Sequence, residues 1–479
     1  MHNAVIKRVM MIKNLITFFS LIFVINYASA ALPIEIADAL KQVGVPESGI
    51  AIFIQAVDGD RPVISLNGDK PMNPASLMKL VTTYAALEIL KPTFRWRTVV
   101  YRDAVIENGI LRGNLIVKGY GDPSFKENEF RRLLMGLRQQ GLNIIEGDLI
   151  IDKSYFATRV EGYQVFDDEK WRAYNAFPSA FLVNGRNTSF RFSVNKDEVN
   201  ITQEAELPEV EIVNNIQLTK NGCGHWRDRF KYDVNVTNAK ALVTFTGSFS
   251  SQCSEKYLEL SLFDDEQYAF FMFRKLWHEL GGQFKGNYRS QTEMPLQVVK
   301  LAEQGSEPLA DVVRNINKWS NNVMARQVLL TIAAEQHNQP ANELKGMLAV
   351  KSWLMDKGIN VDQLVIENGS GLSRIERVSA NSLGQMLIDA YQGPTMPELL
   401  SSLPILSLEG TLIERLKGTP VSARAHMKTG SINNVSAIAG YVLDAKNRRN
   451  VVVMIVNDVK ASSTKSAQDA LINWVYEHP

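Results

Sequence analysis

Apolar positions along this 479-residue chain come in distinct textures, and the texture changes twice. Ile50 to Val57 is an apolar run interrupted only by Gln55. It is too short for a helix and is closed by Asp58-Gly59-Asp60, so it predicts a buried strand ending in a turn. Pro62 to Asn67 predicts a second, returning strand, with the proline at the first position, where a missing N–H is tolerated. Met72-Asn73-Pro74-Ala75 then leads into an apolar helix from about Ser76 to Leu90, stopped by Lys91-Pro92.

From about Phe94 to Tyr288 short strands and Gly- or Asp-rich turns take over. Examples are Gly113-Asn114-Leu115-Ile116-Val117, Gly147-Asp148-Leu149-Ile150-Ile151 and the alternating Ala241 to Thr246. The stretch predicts a β-rich insertion. Helical spacing resumes near Pro308 and runs through Val312, Ile316, Met324, Val328 and Leu329. Two strands, Ala437 to Leu443 and Val451 to Val456, precede a last helix around Ser466 to Val475. Asp469 and Glu477 interrupt any basic face on that helix, which favours packing on the sheet over a membrane surface.

The first thirty residues stand apart. Lys7, Arg8 and Lys13 precede an apolar run from Leu15 to Ile25, and Ala28-Ser29-Ala30 closes it with small residues. That pattern predicts a cleaved secretory signal too short for a permanent span, a mature chain from Ala31 to Pro479, and a periplasmic location. No later stretch is apolar for long enough to predict a transmembrane anchor. The leader holds three of the 52 Lys and Arg and none of the 51 Asp and Glu, leaving a mature net charge of −2. Such a balance argues against a nucleic-acid binder. The length predicts two or three domains. The two cysteines, Cys223 and Cys253, suit one disulfide in an exported chain, worth about 3–4 kcal/mol in the chain-entropy model. Only His225 lies near them, so a metal site lacks paired ligands.

The chemistry begins at Ser76-Leu77-Met78-Lys79. Positions i and i+3 share a helix face, so the hydroxyl and the amine can meet. The helix N-terminus offers unpaired N–H groups to a developing oxyanion, and a desolvated lysine can serve as the base that serine needs. Alone, Ser-x-x-Lys is common by chance. Ser320-Asn321-Asn322, in a helical context, and Lys428-Thr429-Gly430-Ser431, just before the strand pattern from Val435, complete a trio. In this order the three motifs are shared by penicillin-binding proteins and serine β-lactamases.

Ser76 and Ser320 are 244 positions apart, far more than in a β-lactamase, and the β-rich insertion fills the gap. In this the chain resembles the class C, low-molecular-mass penicillin-binding proteins of the penicillin-binding protein 4 type, the D-alanyl-D-alanine carboxypeptidase/endopeptidase family S13. Gly119-Tyr120-Gly121-Asp122-Pro123, Asn368 to Arg374 and Glu409-Gly410-Thr411-Leu412 carry the resemblance further, over essentially the whole mature chain. Asn321 stands where many relatives have Asp, and Ser431 where Thr is common; neither change removes a catalytic group.

The resemblance implies an α/β transpeptidase-like fold, an antiparallel sheet with helices and a helical lobe. It would be assembled from 31–94 and 291–479, with 95–290 inserted as a β-rich accessory region. It implies an acyl-enzyme on Ser76, with Lys79 receiving the serine proton. Ser320 and Lys428 would relay a proton to the leaving amine, and Asn322 would hold Lys79 and the substrate amide. The N–H groups of Ser76 and Ser431 would form the oxyanion hole, and Lys428 and Thr429, beside Gly430, would recognise the terminal carboxylate. The expected partners are peptidoglycan stem peptides and, as covalent inhibitors, β-lactams; no metal or organic cofactor is implied.

Other residues carry weaker signals. His278-Glu279 lacks the second histidine of a zinc-protease motif. His426, two residues before Lys428, would share its face in a strand. Ser370 is not in a Gly-x-Ser-x-Gly elbow. Arg374 and Arg377 read as surface or salt-bridge residues. Glu367, Glu376 and Glu409 are the carboxylates that a rival β-lactamase or esterase reading would need for fast deacylation. A non-catalytic, peptidoglycan-binding scaffold is the other rival, and the intact motif side chains argue against it.

Overall fold

Strand Ile50–Ala56 is buried at every position before its last because both of its faces are covered. The structure, a computed structural model, describes residues 32–157, 166–237, 240–291, 297–337 and 339–478. The expected leader lies outside the described residues. Ile50–Ala56 is the fourth strand of a five-stranded antiparallel sheet, ordered Ala425–Ile432, Val435–Leu443, Arg449–Asn457, Ile50–Ala56, Ile64–Leu66. Successive side chains enter different cores. Ala51 and Phe53 join Ala437, Ala439, Val451, Val453 and Ile455 on one face. Ile50, Ile52 and Ile54 join Ile438, Val452, Met454 and Val456 on the other. A strand sandwiched this way must be apolar throughout rather than alternating.

The second face is closed by helices Ile34–Val43 and Lys465–Glu477, the latter burying Ala467, Leu471, Ile472 and Val475. The apolar side of the last helix is therefore spent on the sheet. The first face carries the helical lobe. Met78–Ile89 is buried from Met78 to Leu87 and touches helices Leu309–Trp319, Asn322–Gln336, Glu343–Asp356 and Met396–Ser402. A helix buried on all sides belongs at the centre of such a lobe.

Between residues 95 and 308 the chain builds four further sheets around a separate aromatic-rich core. The five-stranded member runs Tyr288–Gln291, Leu149–Asp152, Leu115–Gly119, Arg95–Arg102, Val299–Pro308. Its last strand comes from beyond position 290 and runs through Pro308 into helix Leu309–Trp319. In the outermost three-stranded sheet, Val210–Thr219, Lys240–Ser250 and Phe230–Thr237, a Cys223–Cys253 disulfide ties the segment after the first strand to the end of the central one. No helix among the described residues is long and apolar enough to cross a membrane.

Candidate active site

The turn before the central helix is held from three directions. Asn73 Oδ1 accepts from the Ala75 N–H (2.9 Å), while Asn73 Nδ2 donates to the Ser373 carbonyl (2.9 Å). Asn457, at the end of the third sheet strand, grips the Asn73 backbone both ways. The Asn73 N–H donates to its Oδ1 (2.7 Å), and its Nδ2 donates to the Asn73 carbonyl (3.0 Å). Ala75 lies in left-handed backbone (φ 44°), a conformation a non-glycine residue holds only when its surroundings impose it. Ser76 follows in a single 3-10 turn, Ala75–Leu77, and is half-buried.

Two glycines bring backbone against this turn. A Cβ on Gly371 (φ 82°) would lie 1.9 Å from the Ala75 carbonyl oxygen. One on Gly430 would lie 2.7 Å from the Pro74 oxygen and 3.0 Å from the Ser76 nitrogen. Lys428 to Ser431 do not merely precede a strand, as the pattern suggested: they lie inside strand Ala425–Ile432, at the sheet edge against the serine turn.

Lys79 is fully buried. Its Nζ is 3.0 Å from Ser76 Oγ and 2.6 Å from Asn322 Oδ1, and it also donates to the Ser370 carbonyl. Burial pushes its pKa well below the ordinary lysine value, the Lys428 charge pushes it the same way, and the Glu376 charge opposes both. Lys428, equally buried, donates to Ser320 Oγ (2.9 Å) and to the Thr429 carbonyl (2.8 Å). Burial lowers its pKa to about 7.

Ser320 and Asn322 lie on either side of a break between two helices. Ser320 ends helix Leu309–Trp319 in left-handed backbone (φ 57°, ψ 39°), and Asn322 begins the next, capped by Asn321 Oδ1 accepting from the Met324 N–H (3.0 Å). The break turns both side chains toward the two lysines. Thr429 Oγ1 donates to Thr411 Oγ1 (2.9 Å), and Ser431 is exposed.

Sequence reasoning quoted the Asn368–Arg374 and Glu409–Leu412 stretches without assigning them work. The first supplies the Ser370 carbonyl and the second the Thr411 hydroxyl. The close approach at Gly371 was the available signal. Glu409 pairs with buried Lys318, and Glu376 lies beneath the 367–370 loop. His426 is half-buried beside that ion pair and Arg449, its pKa lowered first by burial. His278 is exposed on helix Asp265–Glu279. Among the described residues no group of three or more His, Cys, Asp or Glu is arranged to hold a metal ion. A cavity of 340 Å³ opens beside the loop, lined by Phe166, Phe177, Arg326, Glu367, Asn368 and Arg374.

Known proteins resemble the chain over nearly all of its described length. The chain is 26% identical over 446 residues to the D-alanyl-D-alanine carboxypeptidase DacB of Haemophilus influenzae, covering 90% of each chain. It is 26% identical over 430 residues to the D-alanyl-D-alanine carboxypeptidase of Actinomadura sp. strain R39, covering 85% of this chain and 78% of that one. The crystal structure of penicillin-binding protein 4 from Haemophilus influenzae superposes with a TM-score of 0.77 at 25% identity, over 93% of this chain and 100% of that one. The same protein has been crystallised with a β-lactam, and that form gives a TM-score of 0.73. The transpeptidase-like α/β fold is thus shared at full length, and the family model matches residues 32–478. With a serine, two buried lysines and a sheet edge gathered on that fold, the chain belongs to the D-Ala-D-Ala carboxypeptidase 3 (S13) family and is a serine-type peptidase working through an acyl-enzyme.

Proposed function

We propose that Ser76 is the residue acylated by the peptidoglycan stem peptide, and that Lys79 takes its proton. One observation carries this reading. Lys79 Nζ is surrounded by Ser76 Oγ, Asn322 Oδ1 and the Ser370 carbonyl, of which the last two can only accept. A neutral amine has two N–H donors and one lone pair. Spending both donors on Asn322 and Ser370 leaves the lone pair facing the serine hydroxyl, and burial favours that neutral form.

On this reading Asn322 also binds the substrate amide, and Ser320, in contact with Lys428, hands a proton to the leaving amine. The N–H groups of Ser76 and Ser431 receive the oxyanion, each worth roughly 3–4 kcal/mol in comparable acyl transfers. Lys428, Thr429 and Gly430 form the wall that takes the substrate's terminal carboxylate. The substrates are D-Ala-D-Ala stem peptides and cross-links that present the same D-Ala carbonyl. β-Lactams acylate Ser76 and are released slowly; Glu409 is paired with Lys318, and Glu376 is buried beneath the 367–370 loop with Oε1 accepting its backbone N–H groups. The work takes place in the periplasm, reached through the expected leader. The peptidase domain is drawn from the chain before residue 95 and after residue 308, and the accessory region runs from 95 to 308 rather than to 290, because strand Val299–Pro308 pairs with Arg95–Arg102.

Intact mass after brief incubation with benzylpenicillin tests the assignment. One drug mass should persist on the wild type and be missing from Ser76→Ala. An adduct on both proteins, or on neither, would overturn it.

A further inference from the structure

The third neighbour of Lys79, the Ser370 carbonyl, belongs to a loop whose shape is set from beneath by one carboxylate. Glu376 is fully buried. Its Oε1 accepts three consecutive backbone N–H groups, from Glu367 (3.0 Å), Asn368 (3.0 Å) and Gly369 (2.9 Å). Its own N–H is fixed by Ser373 Oγ (3.1 Å). The Gly369 carbonyl accepts from Thr82 Oγ1 (2.7 Å), and the next carbonyl, that of Ser370, accepts from Lys79. Lys79 and Thr82 are one helical turn apart, so the loop is stitched to the central helix at two successive points.

We propose that Glu376 is a positioning residue for Lys79, clamping the 367–370 loop so that the Ser370 carbonyl meets Nζ and setting a buried carboxylate beneath that loop. The inference rests on Lys79 being the base for Ser76. Three N–H donors converging on one oxygen favour the ionised carboxyl, although burial raises its pKa overall. Its other oxygen, Oε2, is buried with no hydrogen-bond partner among the described residues, so no Lys or Arg neutralises it there. A buried carboxylate without an ion pair is costly, and a glutamine could accept the same three N–H groups. What only the carboxylate adds is charge, and that charge acts on Lys79.

The two lysines give this charge its purpose. Lys428, from strand Ala425–Ile432, pushes the Lys79 pKa down on top of burial, and Glu376 pushes it back up. The charged groups acting on Lys79 are thus Lys428 and Glu376, while Glu376 in turn faces Glu367. A base whose pKa falls too far accepts a proton weakly, so the carboxylate keeps Lys79 basic enough to deprotonate serine.

The test is the pH dependence of acylation by a fluorescent penicillin in Glu376→Gln, Glu376→Asp and wild type. Gln keeps an acceptor for the loop and removes the charge. The acidic limb of its profile should move to lower pH by about half a unit or more. Asp keeps the charge, so its limb should stay near that of the wild type while its plateau rate falls. An unmoved limb in Gln, or an equal shift in Asp, overturns the proposal. Should Gln not fold, the smaller neutral Glu376→Asn gives the same reading. Lys79→Ala separates the layers: if it still acylates at the wild-type rate, the assignment of the base is wrong. If it is inert while Gln leaves the limb unmoved, only the role of Glu376 fails.

Discussion

Lys428 Nζ lies 2.9 Å from Ser320 Oγ, joining a sheet edge to the break between two helices. The contact is made by a fully buried lysine and by a serine in backbone that favours glycine. Both costs are borne at one point, as expected where geometry serves chemistry rather than stability.

The lysine half of that cost is measurable. Lys428 has a pKa of about 7 in the folded protein against 10.5 in the unfolded chain. Between those values the unfolded chain binds the extra proton, so this group makes stability rise with pH across that window. Below about 7 both states are protonated, and the full penalty of a buried ammonium remains. Lys428→Met should therefore be more stable than wild type at neutral pH, on the order of 1–4 kcal/mol. The advantage should shrink as pH rises toward 10.5. Urea denaturation at a series of pH values checks this, and the variant should lose peptidase activity.

Gly371→Ala tests the packing against the Ser76 turn. Its Cβ would meet the Ala75 oxygen at 1.9 Å from a left-handed backbone, so the loop and the serine must separate. Acylation should slow by about 100-fold, as a displacement near 1 Å commonly costs. Stopped-flow acylation kinetics would show it. A variant acylating at the wild-type rate would mean that the turn yields without moving Ser76.

Asn457→Ala removes the side chain that holds the Asn73 backbone from the neighbouring strand. Leaving that N–H and carbonyl unpaired should cost about 2–3 kcal/mol. It should also slow acylation. Thermal unfolding and adduct formation, measured together, report both.

Cys223→Ser with Cys253→Ser should lower stability by about 2–4 kcal/mol. The bridge lies in the outermost sheet, whose core is distinct from that beneath Ser76. Acylation of the folded variant by benzylpenicillin should match that of wild type, and a slower reaction would show that the outer sheet supports the site.

The apolar run at Ile50, the helix after Ser76 and the three motifs were legible because each depends on local order: a period, a stop, a spacing. The sheet edge at Lys428 was harder, since Met427 and Ala425 alone are apolar before the glycine and the strand is defined by its partner Val435–Leu443. The helix break at Ser320 is marked by neither glycine nor proline, and its one local signal is the capping residue Asn321, which the motif reading absorbs as part of Ser-x-Asn. Ser370 acts through its carbonyl, which every residue possesses, so no side-chain pattern could single it out. Glu376 was visible only as one carboxylate among three, and what distinguishes it is its burial beneath backbone N–H groups far from the motif it serves.

The pairing of Ile50 with Val456 sets an order of events during synthesis. Strand Ile50–Ala56 meets Ile64–Leu66 on one side at once, but its neighbour on the other side is Arg449–Asn457, so closure of this sheet is among the most non-local steps a chain can take. Ser76 is made early, but the strand carrying Lys428 and the Asn457 that steadies its turn are made late. A chain that stops short of residue 428 therefore holds Ser76 without that cradle. The serine gains Lys428 and the Asn457 clamp on its turn only once the chain has been made through Asn457.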